Sequence, residues 1–115
     1  MAVELAPHDN LWVERNGLVV LSRWRIRLLE AIEDTGSISA AARRMDVEYH
    51  RAWEKLAEME QRLDVQLVDR QIGGPTGGGA RLTAAGRDYV ARFCSFEQGI
   101  DELIALRFRQ SFAGD

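Results

Sequence analysis

The sequence predicts an α+β domain, mostly α, in which two short strand pairs flank a set of amphipathic helices. Three observations predict it. Thr35 to Lys55 reads as a short helix, a tight turn and a second helix. Leu11 to Leu21 carries an Asn16-Gly17 pair, and residues 73–79 (GGPTGGG) separate two further strand-like runs. From Thr83 onward the period becomes helical and holds for about 25 residues, long for a domain of this size.

Residues 1–10 have no period and read as a frayed leader. Leu11, Val13 and Arg15 alternate with Trp12 and Glu14, and Leu18 to Leu21 returns. Asn-Gly is the strongest two-residue hairpin signal, because both central residues of a type I′ turn need positive φ. Such a ribbon is only marginally stable alone and must lean on the helices. Ser22 is placed to cap a helix carrying Trp24, Leu28, Leu29 and Ile32 on one stripe. Gly36 is placed to end it, as a C-terminal residue with positive φ would.

Ser37 then caps the next helix, whose Ile38, Ala41, Ala42 and Met45 fall at i, i+3, i+4 and i+7. These side chains are mostly short, so another helix can cross closely over them. Asp46 sits at the turn, where Asp tolerates left-handed geometry. In the following helix, 48–63, Tyr49, Ala52, Leu56, Met59 and Leu63 form an apolar stripe. Val47, His50, Arg51 and Glu54 lie opposite, with Lys55 at the margin. That is the helix-turn-helix plan, in which the second helix offers its outer face to the major groove. Val65 to Gln71 and Ala80 to Leu82 read as strands around the glycine loop, which makes 72–80 a wing. In the last helix Tyr89, Phe93, Phe96, Ile100 and Leu103 step by four, three, four and three, the spacing of a seam facing a partner helix. The expected organisation is a leader at 1–10, a winged helix-turn-helix domain at 11–83, and a dimerisation helix and tail at 84–115.

At 115 residues the chain holds one small domain with a real core. No apolar run approaches the roughly 20 residues of a membrane helix, and no secretory h-region is visible. Cys94 is the only cysteine, so no intrachain disulfide can form and a reducing cytoplasm is expected. The net charge of −3 argues mildly against a nucleic-acid partner. Its distribution matters more: eight bases and seven acids lie between Ser37 and Arg87, and Lys55 is the sole lysine. Any DNA affinity should therefore be modest and salt-sensitive.

Taken together, RIRLLEAIEDTGSISAAARRM, YHRAWEKLAEME and LVDRQIGGPTGGGARLTAAG resemble the N-terminal domain of the molybdate-responsive ModE-type transcription regulators. The resemblance runs from about Leu11 to about Leu106. It implies a leading hairpin, a recognition helix, a glycine-rich wing and a long dimerising helix. GSISAAA alone is less specific, since LysR-type regulators carry a similar helix. Full-length members continue into molybdate-binding domains; with the sequence ending at Asp115, no molybdate site is expected in this chain. Four positions depart from the family pattern: Glu48 in place of a small Ser, His50 in place of Lys, and Pro75 and Thr76 in place of a Lys-containing glycine run.

Arg51 and His50 are the candidates for base edges, because Arg can donate two hydrogen bonds to guanine and His one. Glu54 can accept from a cytosine amino group or pair with Arg51. Tyr49 and Trp53 flank the apolar stripe and read as packing residues first; Tyr49 and Lys55 are kept among the candidate contacts. Ser37, Ser39 and Arg43 are candidates for phosphate. Arg70 and Arg81 border the wing, where Arg suits the backbone or minor groove. For Arg51 and His50 the competing reading is a solvated surface side chain, for Ser37 a simple N-cap, and for Arg70 and Arg81 a solvated hairpin.

An enzyme is not expected. A P-loop needs Lys-Ser/Thr after its glycines, opening a helix, and none follows here. His8, His50 and Cys94 lack metal-ligand spacing, so neither metal nor cofactor is expected. The expected function is a sequence-specific transcription regulator that binds double-stranded DNA as a homodimer. The alternative is a protein-interaction module that keeps the fold and has lost DNA contact, favoured by the acidic balance, Glu48 and the lysine-free wing.

Overall fold

The computed structural model describes residues 3–71 and 79–113. The element order is β1 (Trp12–Arg15), β2 (Leu18–Ser22), α1 (Arg23–Thr35), α2 (Ile38–Arg44), α3 (Tyr49–Leu63), β3 (Val68–Gln71), β4 (Gly79–Leu82) and α4 (Ala84–Ser111). Two separate two-stranded antiparallel ribbons flank the helices. The fold is the winged helix-turn-helix expected from the motifs.

Local chemistry sets the boundaries. Asn16 and Gly17 take φ of 54° and 79°, as the hairpin turn requires. The β1–β2 register shifts between Val13 and Glu14, leaving Val20 as the extra residue of a bulge. Val20 and its neighbour Leu21 are both buried, so the bulge seats two consecutive side chains in the core. Ser22 Oγ accepts from Arg25 N at 3.2 Å, Ser37 Oγ from Ala40 N at 2.9 Å, and Thr83 Oγ1 from Gly86 N at 3.0 Å. Gly36 closes α1 in the left-handed region, and Asp46 turns the chain between α2 and α3 with φ of 56°. α3 starts one residue later than expected, with Glu48 as its cap residue and no side-chain capping bond.

The strand expected from Val65 begins only at Val68. The reason is Glu60, whose carboxylate takes the Leu67 and Val68 amides and so holds the chain against α3 before the ladder starts. The loop between β3 and β4, the tip of the expected wing, lies outside the described residues.

Side chains from every helix meet in one core: Ile26, Leu29 and Ile32 of α1, Ala41 of α2, Leu56 and Met59 of α3, and Phe93 of α4, with Leu67 and Val68 beside them. Gly86 lets α4 enter it. A Cβ there would lie 2.2 Å from the Leu67 carbonyl oxygen, and that carbonyl already accepts from Thr83 N at 2.9 Å.

Two further expectations are corrected. Phe93, assigned to a dimer seam, is 2% exposed and belongs to the chain's own core; Tyr89 is partly buried against that core. The leader is anchored where residues 3–10 are described. Asp9 holds the Arg23 guanidinium through both carboxylate oxygens at 3.0–3.1 Å, and Arg23 also reaches Glu97 and Asp101 of α4. Val3 to Ala6 then line an open groove with Phe108 and Phe112.

Candidate nucleic-acid interface

α2 crosses α3 through small side chains. Ala41, Ala42 and Ala52 are at most 2% exposed, which sets a close approach. The turn is fixed by Met45 N to Ala41 O at 2.9 Å and Val47 N to Ala42 O at 3.0 Å. The face of α3 that carries Ala52, Leu56 and Met59 is thereby committed to the core.

The opposite face is open. At 3.6 residues per turn His50, Glu54, Ala57 and Gln61 share it, and Arg51 lies at one edge. All five are exposed. Ala57 and Gln61 were missed by motif reading, although their spacing of i+7 and i+11 from His50 would have found them. His50 Nδ1 lies 3.4 Å from Glu48, and Arg51 and Glu54 make no side-chain bond among the described residues. A row of one His, one Arg and two amide or carboxylate groups can donate and accept hydrogen bonds along base edges.

The edges of α3 are occupied in different ways. Toward α1, Glu58 gathers Arg25 at 2.6 Å, Arg62 at 3.0 Å and Lys55 at 3.8 Å. The Arg25 hydrogen bond, helped by the charges of Lys55 and Arg62, holds the Glu58 carboxyl below the usual glutamate range despite its burial. Lys55 therefore sits beside a carboxylate, partly buried. Toward the wing, Tyr49 is 52% exposed and meets Trp53 edge-on with ring centroids 6.3 Å apart. The Arg70 guanidinium lies 4.3 Å over the Trp53 ring and 2.9 Å from Glu60.

The remaining candidates are spread around this face. Ser37 is partly buried and occupied as a cap; Ser39 is exposed and accepts from Arg43 at 3.1 Å. Arg44, the neighbour of Arg43, pairs with Asp34 at 3.1 Å. Arg81 is exposed on β4, opposite Asp69 in the ladder. Burial, reinforced by Glu30, pushes the Cys94 thiol pKa up, so it is protonated at neutral pH. Among the described residues no group of three or more His, Cys, Asp or Glu side chains is arranged to hold a metal ion. No helix among them is long and apolar enough to cross a membrane.

These elements define the class, a winged helix-turn-helix domain. The CbnR DNA-binding domain crystallised with DNA superposes with a TM-score of 0.53 at 26% identity, over 77% of this chain and 92% of that one. The BenM DNA-binding domain in its benA site 1 DNA complex gives 0.58 at 16% identity, over 77% and 94%, a likeness of fold alone.

The model of the bacterial regulatory helix-turn-helix proteins of the lysR family matches residues 24–87, and the chain belongs to that family. Within it the chain is similar to the molybdenum-pterin-binding protein MopB of Rhodobacter capsulatus, 42% identical over 70% of this chain and 30% of that protein. It is also similar to the molybdenum transport protein ModE of Azotobacter vinelandii, 40% identical over 83% of this chain and 36% of that one. The Escherichia coli K12 regulator ModE is 44% identical over 57% and 25%. The resemblance to ModE-type regulators therefore holds for their helix-turn-helix portion. The chain spans about a third of the length of the curated relatives it matches.

Proposed function

We propose that the chain is the sequence-specific DNA-binding part of a cytoplasmic bacterial transcription regulator, working as a homodimer. The observation that carries this reading is the solvent-open face of α3. His50, Arg51, Glu54 and Gln61 stand exposed along it, on a helix whose other face is locked into the core. α3 enters the major groove. Arg51 and His50 read base edges, Glu54 accepts from cytosine, and Tyr49 and Lys55 border the contact. Ser37, Ser39 and Arg43 lie against phosphates, and Arg81 carries the wing toward the backbone or minor groove.

Two such helices come from two copies joined through α4. The seam is narrower than its heptad spacing suggests. Phe96, Leu103 and Leu106 are 46%, 52% and 44% exposed, with Ile100 partly buried between them, and this stripe is left over once Phe93 has gone into the core. Half-sites then fall about one helical turn apart, or a multiple of that, in a pseudo-palindrome. In this division residues 11–83 bind and residues 84–115 dimerise.

A mobility-shift titration against an operator-like duplex of ModE type and a scrambled duplex, at low and moderate salt, tests this. Preferential binding to the operator-like duplex, weakening steeply with salt, is expected. Equal and negligible binding to both would favour an interaction module that has kept the winged fold.

A further inference from the structure

We propose that Glu60, Trp53 and Arg70 form a positioning unit that fixes the wing to the recognition helix, and that Arg70 supports DNA binding through this unit without touching DNA. The inference rests on the DNA-binding reading of α3 and the wing.

Glu60 has two tasks. Its Oε2 accepts from the backbone N–H groups of Leu67 and Val68 at 2.8 and 3.2 Å, where β3 begins. Its Oε1 accepts from Arg70 Nη2 at 2.9 Å, one residue before the strand ends. One carboxylate from α3 thus holds β3 near both ends. Without it two backbone donors and a partly buried guanidinium would lose their partner, and such groups are costly to leave unmet.

Trp53 supplies the second restraint. It lies about two turns before Glu60 on the same edge of α3. Its ring carries the Arg70 guanidinium on its face, a contact that a planar cation makes far better than a lysine. Arg70 Nε is buried there, with no acceptor among the described residues. The ladder register explains the inward direction. Arg70 pairs with Ala80, which is 8% exposed, whereas Asp69 pairs with Arg81 and both are exposed. Alternate strand residues face opposite sides. Arg70 is therefore on the ribbon's body-facing side and Arg81 on its solvent side.

The other strand is held by α1 and the turn that follows it. Ala80 N donates to Gly36 O at 2.8 Å, and Leu82 N donates to Glu33 at 2.6 Å. With both strands anchored, the angle at which the wing leaves the body is tied to the helix that reads the groove.

The test turns on the sign of one effect. Glu60→Gln removes a negative charge beside a DNA-binding face. If Arg70 were a phosphate contact, releasing it from Glu60 would leave affinity unchanged or raise it. Positioning requires the opposite, a loss of about tenfold for a duplex selected by the wild-type chain, the scale of coupling within one contact network. Hydroxyl-radical protection should fade at the wing's flanks and persist at the centre. Arg70→Lys, which keeps the charge and loses the stack, should weaken binding similarly; wild-type affinity in this variant would overturn the proposal. Circular dichroism identifies any variant that fails to fold. Amide exchange at Leu67 and Val68 reads the clamp without DNA. Faster exchange in Glu60→Gln is expected, and unchanged exchange in the folded variant overturns the clamp. If the wild type binds no duplex, the DNA-binding reading fails, while the exchange result still decides the clamp.

Discussion

Arg25 of α1 donates to Glu58 of α3 at 2.6 Å, and Arg25 is the one buried charged residue among the described residues. The pair lies where α1 crosses α3, and Arg25 also donates to the Lys55 carbonyl at 3.4 Å. A charge this enclosed is tolerated because its partner is fixed. The pair therefore sets how α3 is presented, although neither residue faces outward with His50.

Arg25→Ala should destabilise the fold by about 2 kcal/mol. That is less than the loss for a fully buried pair, because Glu58 keeps some exposure and retains Arg62 and Lys55. Urea unfolding of the variant and the wild type measures it. A change within experimental scatter would mean that the pair is worth no more than a surface ion pair.

Stability should fall on the acid side. The Arg25 hydrogen bond holds Glu58 below the ordinary glutamate range. For Glu97 burial works upward, but Arg27 and Arg23 outweigh it and leave its carboxyl low as well. Carboxylates depressed in the folded state contribute stability above the unfolded pKa, and that contribution disappears as pH falls through the folded values. The urea midpoint should thus hold near neutrality and drop below about pH 4.5. A Glu58→Gln, Glu97→Gln double variant should start lower and lose less over that range. Parallel curves for the two proteins would contradict the assignment.

Two glycines of α4 should respond oppositely to alanine. Gly86→Ala meets the Leu67 carbonyl and should cost about 2–3 kcal/mol, since a backbone atom cannot move aside cheaply. Gly99 has open space around the added methyl and should gain up to about 1 kcal/mol in thermal unfolding of the single chain. A weaker dimer in Gly99→Ala, alongside a more stable monomer, would place a second backbone near that position.

Much of this fold was legible locally. Ser22, Ser37, Thr83 and Gly36 cap where their chemistry says they should, and Asn16-Gly17 turns the hairpin, because each effect acts within three or four residues. Contacts between remote elements were not legible. Nothing in residues 1–10 announces that Asp9 will meet Arg23, which in turn reaches Glu97, and no spacing rule joins Glu60 to Arg70 through Trp53. Phe93 was misassigned because a heptad step does not distinguish the chain's own core from a partner's. On the outward face of α3, helical phase picks out His50, Arg51 and Glu54, while Ala57 and Gln61 share that exposed face beyond the helix-turn-helix motif.

The α4 stripe can be separated from the core beneath it. Leu103→Glu should leave circular dichroism and the unfolding midpoint of the monomer nearly unchanged, and should shift sedimentation equilibrium from dimer to monomer. Phe93→Ala should instead cost about 3–5 kcal/mol of fold stability. A dimer that survives Leu103→Glu would locate the interface elsewhere.

The most direct test of the central claim is fluorescence anisotropy of wild type and Arg51→Ala on a selected duplex and its scrambled counterpart. The outward face of α3 predicts a loss of about 1–3 kcal/mol on the selected duplex, with little change on the scrambled one. Equal affinities of the two proteins for the selected duplex would contradict the assignment of α3 as the reader of the groove.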